Sequence, residues 1–297
     1  QTLYVTSYNS TTGCESASYV TITITQTPTF SISQSQTAVS CYNGANGSAT
    51  INVVSGGTPP FIFSWSNGTT VTNSNPSPVS NTINGLAAGT YTVNIKDNGA
   101  CNNGATFTIT QPTLLTINTT SVSTYAGGFN INCNGNNTGS ISITGVTGGT
   151  GAYTYAWSNG GSSSSITDLV AGTYTVTVRD ANLCSATQTF TLTEPSSLSS
   201  FISASYVCSA GGVYTSANLT ANPAGGAGPY TYLWSNGGAT SQTISGLANG
   251  VSRTVTVTDA NSCQSNASFT TSFPANGSAV NCNFIYVAPN GDPSSGA

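Results

Sequence analysis

Charge is what this chain has least of. Only 3% of its 297 residues are Asp, Glu, Lys or Arg, against about 25% in an average soluble protein. The three cations, Lys96, Arg179 and Arg253, cannot form the basic groove from which nucleic-acid affinity comes. Nor can they form a polybasic patch for an anionic membrane. Histidine is absent, and with it Ser/His/Asp and Cys/His machinery, because a nucleophile needs a base beside it. No run of about 18 apolar residues is present to cross a bilayer as a helix, so no membrane insertion is expected. There is no secretory signal at the start. Gln1 opens directly into strand-like sequence, as expected of a chain whose signal was removed or of an internal piece of a longer protein.

What is abundant is Thr, Ser, Asn, Gly and small or β-branched apolar residues. Thr, Val, Ile and Tyr favour strands, whereas Asn and Gly favour tight turns. The expected fold class is all-β.

Self-comparison sets the architecture. FTITQP closes at Pro112, FTLTEP at Pro195 and FTTSFP at Pro274, while an earlier TITITQTP closes at Pro28; the spacings are 84, 83 and 79 residues. Within each unit the order of features is constant. A first cysteine (Cys41, Cys133, Cys208) precedes an alternating strand and a Gly-rich turn. An aromatic strand then ends in Trp-Ser-Asn-Gly, its members being Phe61, Phe63 and Trp65; Tyr153, Tyr155 and Trp157; and Tyr230, Tyr232 and Trp234. A Leu (Leu86, Leu169, Leu247), a strand such as Thr173 to Asp180, and a second cysteine (Cys101, Cys184, Cys263) follow.

Period-two alternation buries one face of each strand. Short strands joined by Gly/Asn turns predict a sandwich of about seven strands per unit. The expected organisation is residues 1–28 as the C-terminal strands of an incomplete repeat, then repeats at 29–112, 113–195 and 196–274. Residues 275–297 would begin a following segment. Phe284 to Pro293 resembles the opening of right-handed parallel β-helix domains of secreted bacterial proteins.

Each full unit owns two cysteines, so the expected structural disulfides are Cys41 with Cys101, Cys133 with Cys184, and Cys208 with Cys263. Cys14 and Cys282 are left over. Such bonds imply an oxidising, extracytoplasmic compartment. A zinc site is disfavoured because no CxxC and no His occur. A Trp lies 24, 24 and 26 residues after the first cysteine, which predicts Trp65, Trp157 and Trp234 as core residues packed on an inter-sheet disulfide.

The remaining candidates for chemistry are sparse. Of the seven acids, Asp97, Asp180 and Asp259 recur at one equivalent position, before the turn to the second cysteine; the others are Glu15, Asp168, Glu194 and Asp292. Paired carboxylates for glycoside hydrolysis are not indicated. An Asp in such a turn usually bonds its own backbone, and with Asn98, Asn182 or Asn261 it would make at best a weak calcium site. The Gly-Gly pairs 56–57, 148–149 and 225–226 lack the Lys and following helix of a phosphate loop and read as hairpin turns. No enzyme activity, cofactor or metal is expected.

Taken in order, these motifs resemble the SprB-type repeat. The pattern runs Cys-x-Gly, Tyr-x-Tyr-x-Trp-Ser-Asn-Gly, Leu-x-x-Gly-Thr-Tyr-Thr-Val-Thr-Val-x-Asp-Ala-Asn-x-Cys, then Phe-Thr-x-Thr-x-Pro. It is nearly complete from Cys133 to Pro195 and covers roughly 29–274. The Trp-Ser-Asn-Gly turn and the Gly-Thr-Tyr-Thr-Val strand are also similar to PKD-type domains, another immunoglobulin-like family. The resemblance implies immunoglobulin-like sandwiches in a giant cell-surface adhesin of Bacteroidota, of the kind used in gliding motility. It also implies type IX secretion and a surface or filament location, without naming a ligand.

Three departures stand out. Arg253 replaces the tyrosine found at Tyr91 and Tyr174. The first unit carries an insertion around Thr69 to Ser80, and the second an extension around Tyr125 to Phe129. The leading expectation is a non-catalytic stalk or spacer whose partners are the neighbouring repeats. The alternatives are a self-assembling filament of copies, with the strands of 1–28 completing a neighbour, and glycan binding through those two loops.

Overall fold

The computed structural model describes residues 2–5, 7–15, 18, 20–23, 29–209, 212–273 and 285–287. Contacts divide the chain into two units. One holds residues 1–115 with the loops 148–152 and 180–184; the other holds 116–147, 153–179 and 185–297.

In the first unit, β1 (Thr2–Val5), β2 (Tyr8–Asn9), β3 (Cys14–Glu15) and β4 (Val20–Thr23) form two antiparallel pairs, β1 with β4 and β2 with β3. Among the described residues these strands pair with no others. Seven strands follow: β5 (Ser31–Thr37), β6 (Gly47–Ser55), β7 (Phe61–Trp65), β8 (Thr70–Asn73), β9 (Val79–Leu86), β10 (Gly89–Lys96) and β11 (Asn102–Ile109). They make two sheets, β5-β6-β9 and β11-β10-β7-β8.

Alternation in the sequence becomes alternation of burial. Ala49, Ile51 and Val53 of β6, Phe61, Phe63 and Trp65 of β7, Val93 and Ile95 of β10, and Phe107 and Ile109 of β11 close one core. Burying each large side chain of this kind contributes about 1.5–3 kcal/mol. The insertion expected as a loop around Thr69 to Ser80 supplies β8, an edge strand paired to β7 from Phe61↔Asn73 to Ser64↔Thr70.

The second unit contains two cores. The first is built on β12 (Thr116–Val122), β13 (Gly139–Thr147), β14 (Thr154–Trp157), β15 (Ser165–Leu169), β16 (Gly172–Arg179) and β17 (Ser185–Leu192), with sheets β12-β13-β15 and β14-β16-β17. The other is built on β18 (Ser199–Cys208), β19 (Tyr214–Ala224), β20 (Thr231–Trp234), β21 (Thr243–Leu247), β22 (Ser252–Thr258) and β23 (Gln264–Thr270). Its sheets are β20-β22-β23 and β21-β19-β18, and β24 (Ile285–Val287) is added to the free edge of β18. Among the described residues each of these two sandwiches therefore has six strands of its own repeat rather than the expected seven, because neither carries the insertion that makes β8; β24 brings the last sandwich to seven. Residues 285–287 run antiparallel along β18, from Ser203↔Val287 to Ser205↔Ile285. The rest of 275–297, where a following segment was expected, lies outside the described residues.

This topology assigns each loop to an end of its sandwich, since antiparallel neighbours reverse direction. In the first sandwich the β5–β6 connection, with Cys41, lies at one end. The β6–β7 loop and the β10–β11 turn, with Cys101, lie at the other. Contacts between those last two loops confirm it: Thr58 N–H donates to Asp97 Oδ2 (2.9 Å) and Asn98 N–H to Thr58 O (2.9 Å). The eight residues of β10 separate the two ends by roughly 25 Å.

Candidate functional site

The feature that recurs in all three sandwiches is the turn carrying the second cysteine. Its first residue is a buried aspartate: Asp97, Asp180 and Asp259 are 3%, 2% and 5% exposed. In each turn one carboxylate oxygen accepts the cysteine's own N–H, from Cys101 (2.8 Å), Cys184 (2.9 Å) or Cys263 (2.9 Å). Asn182 and Asn261 N–H donate to the same oxygen in the second and third turns, at 2.9 Å each. The other oxygen reaches a loop 30 to 39 residues away, accepting from Thr58, Thr150 and Ala227 N–H. The residue before each cysteine is left-handed, with φ of 61° at Ala100, 66° at Leu183 and 67° at Ser262.

Close approach of the aspartate accounts for the second glycine of the second and third Gly-Gly turns, while at Gly57 the ring of Phe61 takes that place. A Cβ on Gly149 or Gly226 would lie 2.6 Å from Oδ2 of Asp180 or Asp259, and both glycines have positive φ. The aspartates do bond their own backbone, as the sequence indicates. The cross-loop half of the clamp was hidden because its donors are backbone N–H groups, which carry no residue signature.

The cysteines pair differently from the expectation. Cys41 bonds Cys184 and Cys133 bonds Cys263, with Cα–Cα distances of 5.6 and 5.7 Å. The expected pairs Cys41–Cys101, Cys133–Cys184 and Cys208–Cys263 do not form. Cys101 is a free, half-buried thiol and Cys14 a free, exposed one; Cys208 is disulfide-bonded. The reason is geometric. The two cysteines of one repeat sit at opposite ends of its sandwich, whereas a disulfide needs Cα atoms within about 7 Å. In the first and second repeats the first cysteine instead bonds the second cysteine of the following repeat. Both bonds lie inside a single unit, because the loop 180–184 groups with the first unit and Cys133 and Cys263 share the second. Cys282 lies outside the described residues.

Hydrogen bonds reinforce each bond. Asn182 Nδ2 donates to Ser40 O (3.1 Å), beside Cys41. In the second unit Asn261 is held from both sides: Ala126 N–H donates to its Oδ1 (2.8 Å), and its Nδ2 donates to Ala126 O (3.2 Å). Ala126 opens a 3-10 turn, Ala126–Gly128. The extension around Tyr125 to Phe129, a loop candidate for glycan binding, thus grips the third repeat's cysteine turn.

Trp65, Trp157 and Trp234 are buried, at 4%, 5% and 2% exposure. They pack into the three hydrophobic cores, with Trp65 against Phe107 (5.4 Å between ring centroids) and Trp157 against Phe190 (6.0 Å). Each indole N–H is satisfied, by Asn81 Oδ1 (2.7 Å), Ser163 O (2.9 Å) and Ser241 O (2.9 Å). Tyr91 and Tyr174 donate their hydroxyls to the carbonyls of Ala87 (3.3 Å) and Val170 (3.1 Å), four residues upstream. That is the tyrosine corner of immunoglobulin-type sandwiches. Where Arg253 replaces the tyrosine, Thr271 Oγ1 donates to the equivalent carbonyl, Ala248 O (2.7 Å).

The acids offer little else. Glu194 is engaged by Gly135 N–H (2.7 Å) and Asn134 Nδ2 (3.1 Å), and Asp168 by Thr167 (2.9 Å). No group of three His, Cys, Asp or Glu side chains suited to a metal occurs among the described residues. No helix among them is long and apolar enough to cross a membrane.

The SprB repeat family model matches the chain three times, at residues 33–70, 130–162 and 215–239. Each match runs through the strands leading to the tryptophan turn. No curated protein matches. Two of the similar solved structures serve as examples. One is the C-terminal 282-residue fragment of intimin in complex with the intimin-binding domain of the translocated intimin receptor. It is 20% identical, with 58% of this chain and 66% of that one covered, at a TM-score of 0.32. The other is the full ectodomain, Ig1–Ig3, of mouse nectin-like molecule 4, which is 13% identical, with 84% and 96% covered, at a TM-score of 0.33.

Proposed function

We propose, from the three regions that match the SprB repeat model, that this is a non-catalytic, extracellular spacer region of a large bacterial surface adhesin. The observation that carries this reading is the disulfide from each repeat to the next, Cys41–Cys184 and Cys133–Cys263. Bonds confined to single repeats would stabilise each sandwich alone; bonds between repeats resist separation of consecutive sandwiches. Disulfides also belong to oxidising, extracytoplasmic compartments. The carboxylates that recur are spent on backbone N–H groups, which supports a structural role for them. The adhesive function, a Bacteroidota cell surface, type IX secretion and a part in gliding motility follow from the family resemblance and belong to this proposal.

Small-angle scattering on the oxidised chain tests the spacer. The expected profile is that of an elongated particle whose cross-section is one sandwich wide. A compact globule would refute the proposal.

A further inference from the structure

We propose that Cys101 is the receiving half of another inter-repeat disulfide, whose partner is the first-position cysteine of a further SprB-type repeat. Cys101 is not an isolated thiol. It is the third instance of a position whose other two occupants, Cys184 and Cys263, are each bonded to the first cysteine of the preceding repeat. The turn around it is built in the same way: Asp97 N–H to Cys101 O at 3.1 Å, against 3.1 and 3.0 Å for Asp180 and Asp259, with the same left-handed residue before the cysteine. Cys101 remains half-buried and free.

The pairing rule names the partner by position. By that rule it is the first cysteine of an SprB-type repeat placed before the sandwich that holds Cys101. A second copy of this chain cannot supply it, because its three first-position cysteines, Cys41, Cys133 and Cys208, are all bonded. One difference marks the joint. The asparagine that grips the preceding repeat stands two residues after the aspartate in Asn182 and Asn261, whereas Gly99 occupies that place in the first turn. The disulfide would therefore form there without the asparagine's hydrogen bonds. Closing it oxidises two thiols to one disulfide while a small disulfide, such as oxidised glutathione, is reduced to two thiols.

Two measurements test this. In the folded, oxidised chain N-ethylmaleimide should modify Cys101 and leave Cys41, Cys133, Cys184 and Cys263 unmodified. A Cys101 that stays unreactive, or that links two copies of the chain, overturns the proposal. In the second, a copy of residues 113–195 replaces residues 1–28, and the chain is refolded in a glutathione redox buffer. Non-reducing peptide mapping should find the added copy's first cysteine joined to Cys101, with the thiol lost to maleimide. If Cys41–Cys184 and Cys133–Cys263 form as before and Cys101 remains alkylatable, the proposal fails.

Discussion

Stretching the chain by its ends, oxidised and then reduced, measures the disulfide ladder directly. Cys208→Ser is introduced first, so that only Cys41–Cys184 and Cys133–Cys263 contribute. Between Cys41 and Cys263 the polypeptide runs 222 residues. With both bonds present, the shortest covalent path goes from Cys41 to Cys184, back along the chain to Cys133, and across to Cys263. That path contains 51 residues of chain. At about 3.4 Å per extended residue the two paths are ~170 and ~750 Å long. Single-molecule force spectroscopy should therefore record ~580 Å more contour length after reduction. Cys101→Ser is the discriminating variant. Because Cys101 is free, the oxidised length should not change. A pairing of Cys41 with Cys101 inside the first repeat would instead release 60 residues, about 200 Å. An increase of that size in Cys101→Ser would refute the ladder.

Four further outcomes follow from the same contacts. Cys184→Ser should expose Cys41, not Cys133, to alkylation; opening the 143-residue separation should cost about 5 kcal/mol in the chain-entropy account, read by urea unfolding. Asp259→Ala removes the acceptor of three N–H donors and should lower the stability of the last sandwich by about 3 kcal/mol, at about 1 kcal/mol or more for each stranded donor, seen as a lower urea midpoint. Trp157→Ala, in a well-packed core, should cost about 3–5 kcal/mol, followed by near-UV circular dichroism on thermal unfolding. Tyr174→Phe loses only the hydroxyl bond to Val170 O and should cost about 1 kcal/mol with the fold unchanged.

The all-β class, the three repeats and the burial of Trp65, Trp157 and Trp234 were legible in the sequence because they depend on local periodicity. A strand with one buried face must alternate, and a turn with positive φ calls for Gly or Asn. Alternation also marks Phe61 and Phe63 as neighbours of Trp65 in the core. Two features were less visible. The insertion in the first repeat reads as loop because Pro76 and Pro78 and polar residues surround the four-residue β8. The extension around Tyr125 to Phe129 shows no pattern until Ala126 meets Asn261, 135 residues away.

By itself the sequence determined that each repeat owns two cysteines in fixed positions, and that the chain holds three cations and no histidine. It could not determine the pairing, since spacing counts residues and not strand reversals. Tertiary structure decided it. An even number of antiparallel strands between two loops returns the chain to the same end of a sandwich, and an odd number, such as the five from β6 to β10, leaves it at the other. Cys41 and Cys101 fall at opposite ends and cannot meet. The end that holds Cys41 meets the turn holding Cys184, and the end that holds Cys133 meets the turn holding Cys263. The bonds that looked internal to each repeat are the ones that join the repeats together.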